Sequence, residues 1–521
     1  MEVVHKELQP FTWSDAAYLA PEWILIAVAI ALVILDLAMP SRISRTVIGW
    51  LTLSGLLTSL AFVIWRLIDL KAEAPTEDPL SQIGTVIRIF GDSYRIDGYS
   101  SMMKIIFLVA AALIVLISIG TVKEKEIPNK GEYYYLLLPA VVGAMVMVSS
   151  SDLITLYVGL ELLSITTYIL VGMRKYIVQS AEAAFKYVVT GGISSALLLF
   201  GISYLYGVSG TTNLGLIGEG AVKAGDMSAL MYVGLFFVLA GFGIKIAAAP
   251  FHLWAPDVYQ GAPTPISAFL GVISKAAALA VLFRIVANVG LLGSYTQPIM
   301  GDVTFAVLIM AAAAMIAGTT AALRQHNMKR LLALSGVANA GYLLVPVGLG
   351  VSGMHTYVGE FIFYLVIYLF MNIGAFAVLS VISKAAGHEE MRGFGGLYYR
   401  APWTAVATIV FVLSLAGLPI TGGFFGKLFI LLGAAQAQNY WIIAIMIVTS
   451  VISYYFYFGI IRQMFMRSTG EAHEITVPAT TGIVIWLSAA VIVLLGFIPG
   501  AGMDIIHQFF SFAADMLILY L

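Results

Sequence analysis

Three observations predict that this chain folds as an all-α polytopic membrane protein. The first is composition: of 521 residues 60% are hydrophobic and only 11% charged, with a mean hydropathy of +0.96, well outside the range of water-soluble domains. The second is repetition: apolar stretches of about 20 residues, the length that crosses a bilayer as a helix, recur about fourteen times. The third is where that pattern breaks. The stretch GFGIKIAAAPFHLWAPDVYQGAPTPISAFLGVISK puts Lys245 inside one apolar segment, interrupts it at Pro250, and buries Lys275 deep in the next. An ammonium at mid-bilayer costs about 2.5–3.5 kcal/mol even on a lenient scale, so water or a partner charge has to reach both lysines.

In chain order, the predicted helices are 20–39, 46–68, 102–122, 133–150, 152–172, 181–206, 229–250, 265–287, 303–323, 330–349, 355–382, 403–433, 439–465 and 477–497. The first reads as a retained helix and not a secretory signal: the residues before it are polar and mixed in charge, Glu22 and Asp36 lie near its ends, and no clear cleavage site follows. Basic residues collect after odd-numbered helices: Arg42 and Arg45; Lys123, Lys125 and Lys130; Arg174 and Lys175; Arg324, Lys329 and Arg330; Lys384, Arg392 and Arg400; Arg462 and Arg467. The turns after helices four, ten and twelve carry none. Because short cytoplasmic loops hold the Lys and Arg excess, an even helix count puts both termini on the outer side. Between helices two and three, the polar segment from Lys71 to Tyr99 holds the short alternating runs IGTVIRIF and SYRID, which predict an external β-hairpin near 71–99. After helix fourteen, Ile505, Ile506, Phe509, Phe510 and Phe512 are set against Asp504, His507, Gln508 and Ser511, the pattern of a helix lying in the membrane interface through Leu521.

Helix seven breaks at Ala249-Pro250 with Lys245 before the break, and helix twelve, LAGLPITGGFFGKLFIL, breaks at Pro419 with Lys427 after it. Backbone groups freed by such breaks must be met by protein or water, and paired broken helices mark the ion site of many transporters. Five helices separate the two breaks, and an odd offset inverts one unit relative to the other. The expectation is therefore two inverted five-helix repeats, helices 4–8 and 9–13. Four regions follow: 1–130 with helices 1–3, 131–287 as the first repeat, 303–466 as the second, and 477–521 with helix 14 and the interfacial C-terminal helix.

Each intramembrane charge has a plain reading and a functional one. Glu161, half-way along helix five, either stays protonated or hydrogen-bonded, or pairs with Lys245 so that each charge offsets the other's desolvation. Lys186 follows Glu182 by one helical turn near the cytoplasmic start of helix six, and a snorkelling pair there needs no function. Lys275 and Lys427 lie about ten residues inside apolar sequence and cannot snorkel cheaply, although carbonyls of a broken helix would also hold a lysine. His252, just past the first break, either caps it or relays protons between Lys245 and Lys275. Lys329 and Arg330 read as part of the cytoplasmic charge excess, and Glu360 and His355 as interfacial. The FHLWAP and YYFYF clusters read as packing and anchoring, not as a quinone box.

Several functions are excluded by what the residues lack. Without cysteine the chain has no iron–sulfur ligation, thiolate zinc site or disulfide, so any redox chemistry is done elsewhere. A net charge of −1 without a long basic tract gives no sign of nucleic acid. The G-x-G in GFGIKIAAAP lacks a third glycine at the required spacing and lies in a membrane span, so it is no dinucleotide fingerprint.

KIAAAPFHLWAPDVYQGAPTPISAFL, SAEAAFKYVVTGGISSALLLFGISYLYGVSGTTNL, HNMKRLLALSGVANAGY and SLAGLPITGGFFGKLFIL closely resemble the antiporter-like N subunits of bacterial respiratory complex I, NADH-quinone oxidoreductase. The resemblance runs from about helix four to helix thirteen, and PFHLWAPDVYQGAPTP is its most specific part, favouring N over the L and M subunits. The wider family includes Mrp-type sodium/proton antiporters and membrane subunits of energy-converting hydrogenases. The resemblance implies a fourteen-helix subunit of the bacterial plasma membrane, with inverted repeats and half-channels joined by a hydrophilic axis. It implies proton-transfer roles for Glu161, Lys186, Lys245, His252, Lys275 and Lys427, the M subunit carrying a glutamate at the last position. It implies no cofactor in this chain and, as partners, the M subunit, the small membrane subunits A, J and K, lipid, protons and water. The expected mechanism opens and closes the Glu161–Lys245 pair, so that Lys245 releases a proton through His252 and water to Lys275, and Lys427 passes it on. Two alternatives are a subunit of an Mrp-type sodium/proton antiporter and a structural module with an inert polar axis.

Overall fold

The computed structural model describes residues 13–40, 42–72, 86–124, 126–223, 228–293, 299–352, 355–466 and 475–510. Lys125, Arg467, most of the polar segment after Lys71 and the C-terminal residues 511–521 of the expected interfacial helix lie outside them.

Apolar stretches in lipid become helices because only a helix satisfies its own backbone groups within one segment. Among the described residues thirteen helices are long and apolar enough to cross a membrane, and two shorter apolar helices lie in series where the twelfth was expected. In order they are α1 Ala20–Ala38, α2 Thr46–Ala72, α3 Gly98–Thr121, α4 Lys130–Ser149, α5 Leu153–Val171, α6 Val178–Ser209 and α7 Ser228–Ile246. Then come α8 Thr264–Asn288, α9 Ile299–Ala322, α10 Met328–Leu349, α11 Val358–Ala386, α12 as Pro402–Ala416 and Gly422–Gln436, α13 Tyr440–Phe465 and α14 Ala479–Phe497. Local signals fix several starts. Asp97 and Ser100 form a reciprocal capping box ahead of α3, Asp152 accepts from the Ile154 and Thr155 amides at α5, and Asn327 accepts from the Arg330 amide at α10. The capping box starts α3 four residues before the hydropathy pattern does.

Burial sorts the helices. The most apolar windows of α10 and α8 are 100% and 94% buried, against 22% in α1 and 33% in α13, so α8 and α10 form the centre. The outer helices present large apolar side chains outward, among them Ile30 and Ile34 on α1 and Ile447, Val448 and Val451 on α13, faces suited to lipid or a neighbouring chain.

The hairpin is present but short: β1 Ile87–Ile89 pairs antiparallel with β2 Tyr94–Ile96 in the register Ile87↔Ile96 and Ile89↔Tyr94. It is tied down by ions and hydroxyls. Asp97 meets Arg95 at 3.4 Å and also Arg284 of α8, while the Ser151 hydroxyl donates to the Asp92 carbonyl at 2.6 Å. A second, two-residue pair, Val351–Ser352 with His355–Thr356, was not foreseen. The C-terminal helix begins at Pro499, earlier than expected, and is described to Phe509.

Both breaks are present. The helix α7 ends at Ile246, residues 247–253 turn, and a short helix Trp254–Gly261 follows; α12 is interrupted between Ala416 and Gly422. Each turn carries a non-glycine residue in the left-handed region, Ala247 at φ 58° and Ile420 at φ 76°. Such residues cost about 1–3 kcal/mol each and persist where surrounding structure imposes them. Unforeseen from sequence, α8 contains a π-helical turn at Leu270–Ser274, directly before Lys275, a distortion that recurs at functional sites.

Candidate functional site

Glu161, Ser164 and Tyr168 follow one another at helical spacing on α5, which puts them on one face. Lys245, in the last turn of α7 and only 9% exposed, reaches that face: its Nζ donates to Ser164 Oγ at 2.9 Å, Tyr168 OH at 3.3 Å and Ser195 Oγ at 3.5 Å. The direct Glu161–Lys245 pair that the sequence suggested is not formed. Ser195 of α6 sits between them, donating a short hydrogen bond to Glu161 and lying beside Lys245. Lys245 meets α5 one turn further along than Glu161, so a hydroxyl spans the difference.

A second cluster lies where α6 and α10 begin. Lys186 makes the expected contact with Glu182 at 2.7 Å, but it also pairs with Asp257 of the short helix at 2.6 Å. Asp257 in turn binds Arg330 at 2.5 Å, and Arg330 donates to Gln260 Oε1 at 3.0 Å. Lys329, read from sequence as a loop charge, is instead fully buried: it donates to the Ala262 carbonyl at 2.8 Å and meets Glu389 at 2.6 Å. These bonds stitch the segment after the first break to α6, α10 and the loop after α11. Asp257 lies outside the membrane-crossing helices; burial opposes its charge, but Lys186 and Arg330 hold its carboxyl below the usual carboxylate range. Beside the cluster opens a cleft of about 370 Å³, lined by Glu126, Arg174, Thr264, Lys384, His388 and Glu389 among others.

Lys275 and Lys427 are held differently. Lys275 is 2% exposed, and among the described residues its Nζ has no hydrogen-bond partner; it lies 5.9 Å from the centroid of the Tyr259 ring. Lys427 donates to the carbonyls of Leu415 at 3.0 Å and Ala416 at 3.3 Å, the last groups of the first half of α12, and lies 4.7 Å from the Tyr342 centroid. The end of a half-helix exposes unpaired carbonyls carrying partial negative charge, so a lysine there is stabilised without a carboxylate. This is the carbonyl-held arrangement the sequence allowed for. Gly417, at φ 80°, makes room for it: a Cβ there would come within 2.9 Å of Lys427 Cδ.

His252 lies half-buried in the turn after α7 and hydrogen-bonds to neither Lys245 nor Lys275. A relay through His252 would therefore need water on either side of the imidazole, as the expected path through His252 and water has it. Sequence reasoning also missed Ser164, Tyr168, Ser195 and Asp257, together with a buried pair between Lys104 of α3 and Glu22 of α1 at 2.8 Å, to which Tyr94 OH donates at 2.8 Å. Lys104 carried a usable signal, a lysine inside an apolar helix. The hydroxyls carried none. Among the described residues no group of three or more His, Asp or Glu side chains is placed to hold a metal ion.

A helical membrane protein with two broken helices, a buried lysine at each break and a third at the centre belongs to the antiporter-like class of membrane subunits. Residues 150–453 match the family model described as NADH:quinone oxidoreductase/Mrp antiporter, TM. The chain is 59% identical over 518 residues to a protein of Paenibacillus sp. (strain JDR-2) named NADH-quinone oxidoreductase subunit N, covering 98% of this chain and 99% of that one. It is similar to a chain of respiratory complex I from Thermus thermophilus with bound aureothin, with a TM-score of 0.75 and 30% identity over 93% of this chain and 98% of the other. A chain of the membrane-bound sulfane sulfur reductase, an archaeal respiratory membrane complex, shares the fold, with a TM-score of 0.83 and 23% identity over 96% and 98% of the two chains. The chain belongs to the NADH:quinone oxidoreductase/Mrp antiporter family.

Proposed function

We propose that this chain is the antiporter-like N subunit of a proton-translocating NADH-quinone oxidoreductase of a bacterial plasma membrane, with both termini on the outer side. In this reading it works beside the M subunit and the small membrane subunits A, J and K, holds no redox cofactor, and is driven by redox chemistry in other subunits. The proton path runs through Lys245, Lys275 and Lys427, with Lys186, Glu161 and His252 serving its entry and switching. The observation that carries the reading is the contrast among these lysines: Lys245 has hydroxyls with a carboxylate behind one of them, Lys427 has carbonyls, and Lys275 between them has no polar partner among the described residues. A proton delivered to Lys275 is the least stabilised along the path and therefore the most easily passed on.

Ser195 supplies the switch. When its hydroxyl bridges Glu161 and Lys245 the ammonium is supported through the bridge, and when it turns away Lys245 loses that support. Moving one charge against 100 mV costs about 2.3 kcal/mol, and a hydrogen bond to a charged group is worth about 1.5–3 kcal/mol, so a change at this bridge is of comparable scale. The cleft beside Glu389 and Lys384 serves as the water-accessible entry, and the two breaks act as matching points of inverted repeats spanning 131–287 and 303–466.

Glu161→Ala or Lys245→Ala in the intact complex, measured in sealed vesicles, should leave subunit content unchanged and depress quinone-coupled proton pumping. Normal proton-to-electron stoichiometry in both variants would remove the mechanism. A sodium requirement for pumping would move the chain towards the sodium/proton antiporters of its family.

A further inference from the structure

The fold divides the YYFYF run at 454–458 between two environments. Phe456 and Tyr457 are buried, whereas Tyr455 and Phe458 are exposed. These two belong to a stripe of α13 formed by Val448, Val451, Tyr455, Phe458 and Arg462, all exposed and spaced by three or four residues, hence on one face. With 26 residues α13 is about 39 Å long, more than the roughly 30 Å hydrocarbon core of a bilayer, so its last turn, where Arg462 sits, reaches headgroup level.

At that end the stripe opens into a cleft of about 680 Å³, within the size range of small-molecule sites. Tyr454, Tyr455 and Phe458 form an aromatic wall, with Gln325 and His326 from just past α9 and Arg392 from the loop after α11 opposite. Among the described residues the lining holds two arginines, a histidine and two glutamines, Gln325 and Gln463, and no carboxylate. The cleft beside Glu389 is different, because both signs of charge line it. Arg392 pairs with Glu390 just outside the lining at 2.7 Å, whereas Arg462 has no carboxylate partner among the described residues. Gly459 keeps the floor open: a Cβ there would meet nothing within 4 Å.

We propose that this cleft binds one anionic phospholipid, its phosphate on Arg462 and Arg392 and its acyl chains running down α13 along Phe458, Tyr455, Val451 and Val448. Charge selects the occupant first: a cationic rim without an acid calls for an anion, and a guanidinium presents paired N–H groups that match phosphate oxygens. Polarity along the stripe selects it further. Cations at headgroup level continue without interruption into exposed apolar side chains, which fits a molecule carrying phosphate and hydrocarbon end to end. Free phosphate would leave the stripe bare, and a zwitterionic headgroup would bring a cation of its own to the arginines. The tyrosines suit the same depth, since their amphipathic rings favour the boundary between headgroup and chain. The cleft also joins the ends of α9 and α13, which pack together and meet again near their other ends through Phe305 and Trp441 at 6.0 Å. A lipid seated here therefore lies along the seam between those two helices.

The test adds phosphatidylglycerol with a photoreactive acyl chain to the purified, delipidated complex and maps the labelled peptides by mass spectrometry. Label is expected on the peptide holding Tyr455 and Phe458, displaced by unlabelled phosphatidylglycerol but not by equal amounts of phosphatidylcholine or inorganic phosphate. Arg462→Gln should weaken this binding about fivefold, and Arg392→Gln with Arg462→Gln about twentyfold or more, the size expected for arginines near an anionic headgroup. Gly459→Trp fills the cleft and leaves its charges in place, so it should abolish the label independently of the arginine variants. Unchanged labelling in the double variant and in Gly459→Trp overturns the site. Equal displacement by phosphatidylcholine overturns the preference for an anionic lipid, and equal displacement by phosphate reduces the cleft to a bare anion site. In native membranes, Tyr455→p-benzoylphenylalanine should cross-link to lipid on illumination; a cross-link to another subunit instead would make the cleft a protein interface and overturn the proposal.

Discussion

Lys245 and Lys275 flank the same helix break, yet their surroundings are opposite. Lys245 is met by three hydroxyls, one of which reaches a carboxylate; Lys275 is met by the face of a tyrosine ring and by the bare backbone of Gly336. Lys427, at the second break, is a third case, seated on half-helix carbonyls. The difference teaches that burial alone does not define such a site. A charge supported from several sides costs less to bury than one that meets no polar partner among the described residues.

The sharpest break in this comparison is Lys275→Met. It should abolish proton pumping by the complex while leaving its thermal stability unchanged or raised, because replacing an unpaired buried ammonium by an apolar chain of similar length removes a desolvation cost. Lys245→Met should also stop pumping but lower the melting temperature, since it takes away the donor from which the Ser164 hydroxyl accepts, a loss of about 1–3 kcal/mol for a buried group left unsatisfied, while Ser195 keeps its bond to Glu161. Melting curves of the two purified variants that shift alike would erase the distinction drawn here.

Next in size is Lys427→Met, which uncovers the Leu415 and Ala416 carbonyls. Lys427→Arg keeps a cation over them and should recover most of the lost stability, though not the pumping, because a guanidinium does not release its proton at physiological pH. Equal stability of the Met and Arg variants would mean the carbonyls do not need the charge. Ser195→Ala is smaller still. It leaves both charges in place and severs only the bridge, so pumping should fall less than in Glu161→Ala, and a fall as complete as that variant's would show the hydroxyl to be a carrier in its own right.

Much of this was legible in the sequence, for reasons that also explain what was not. Helices were legible because a bilayer demands about 20 apolar residues from any span, and the breaks because Pro250 and Pro419 interrupt otherwise unbroken hydropathy. The lysines stood out because charge is rare there. Serine, threonine and tyrosine are unremarkable in a membrane helix, so Ser195, Ser335 and Tyr457 gave no warning; Tyr457 was read with YYFYF as packing and anchoring, and it is buried, with its hydroxyl on Ser335. Lys329 and Arg330 fitted the positive-inside pattern so well that their bonds to the Ala262 carbonyl, Glu389 and Asp257 were hidden behind it. The bridge between Glu161 and Lys245 depends on how α5, α6 and α7 pack, which spacing along any one helix does not encode.

The smallest expected effect concerns the charged cluster where α6 and α10 begin, the surface counterpart of the buried lysines. Asp257 is about one-third exposed, and Lys186 and Arg330 hold its carboxyl below the ordinary value of 3.8. A group whose acidity is raised by folding stabilises the native state above its unfolded pKa and loses that contribution only as the pH falls through the lower, folded one. Between pH 8 and pH 5 the contribution should therefore be constant. Asp257→Asn should lower the melting temperature slightly and by the same amount at both values, and added salt should shrink the difference, as for any partly exposed ion pair. A deficit present at pH 8 that vanishes by pH 5 would mean that the carboxyl is already taking up protons in that range, and that its neighbours do not hold it as their geometry implies.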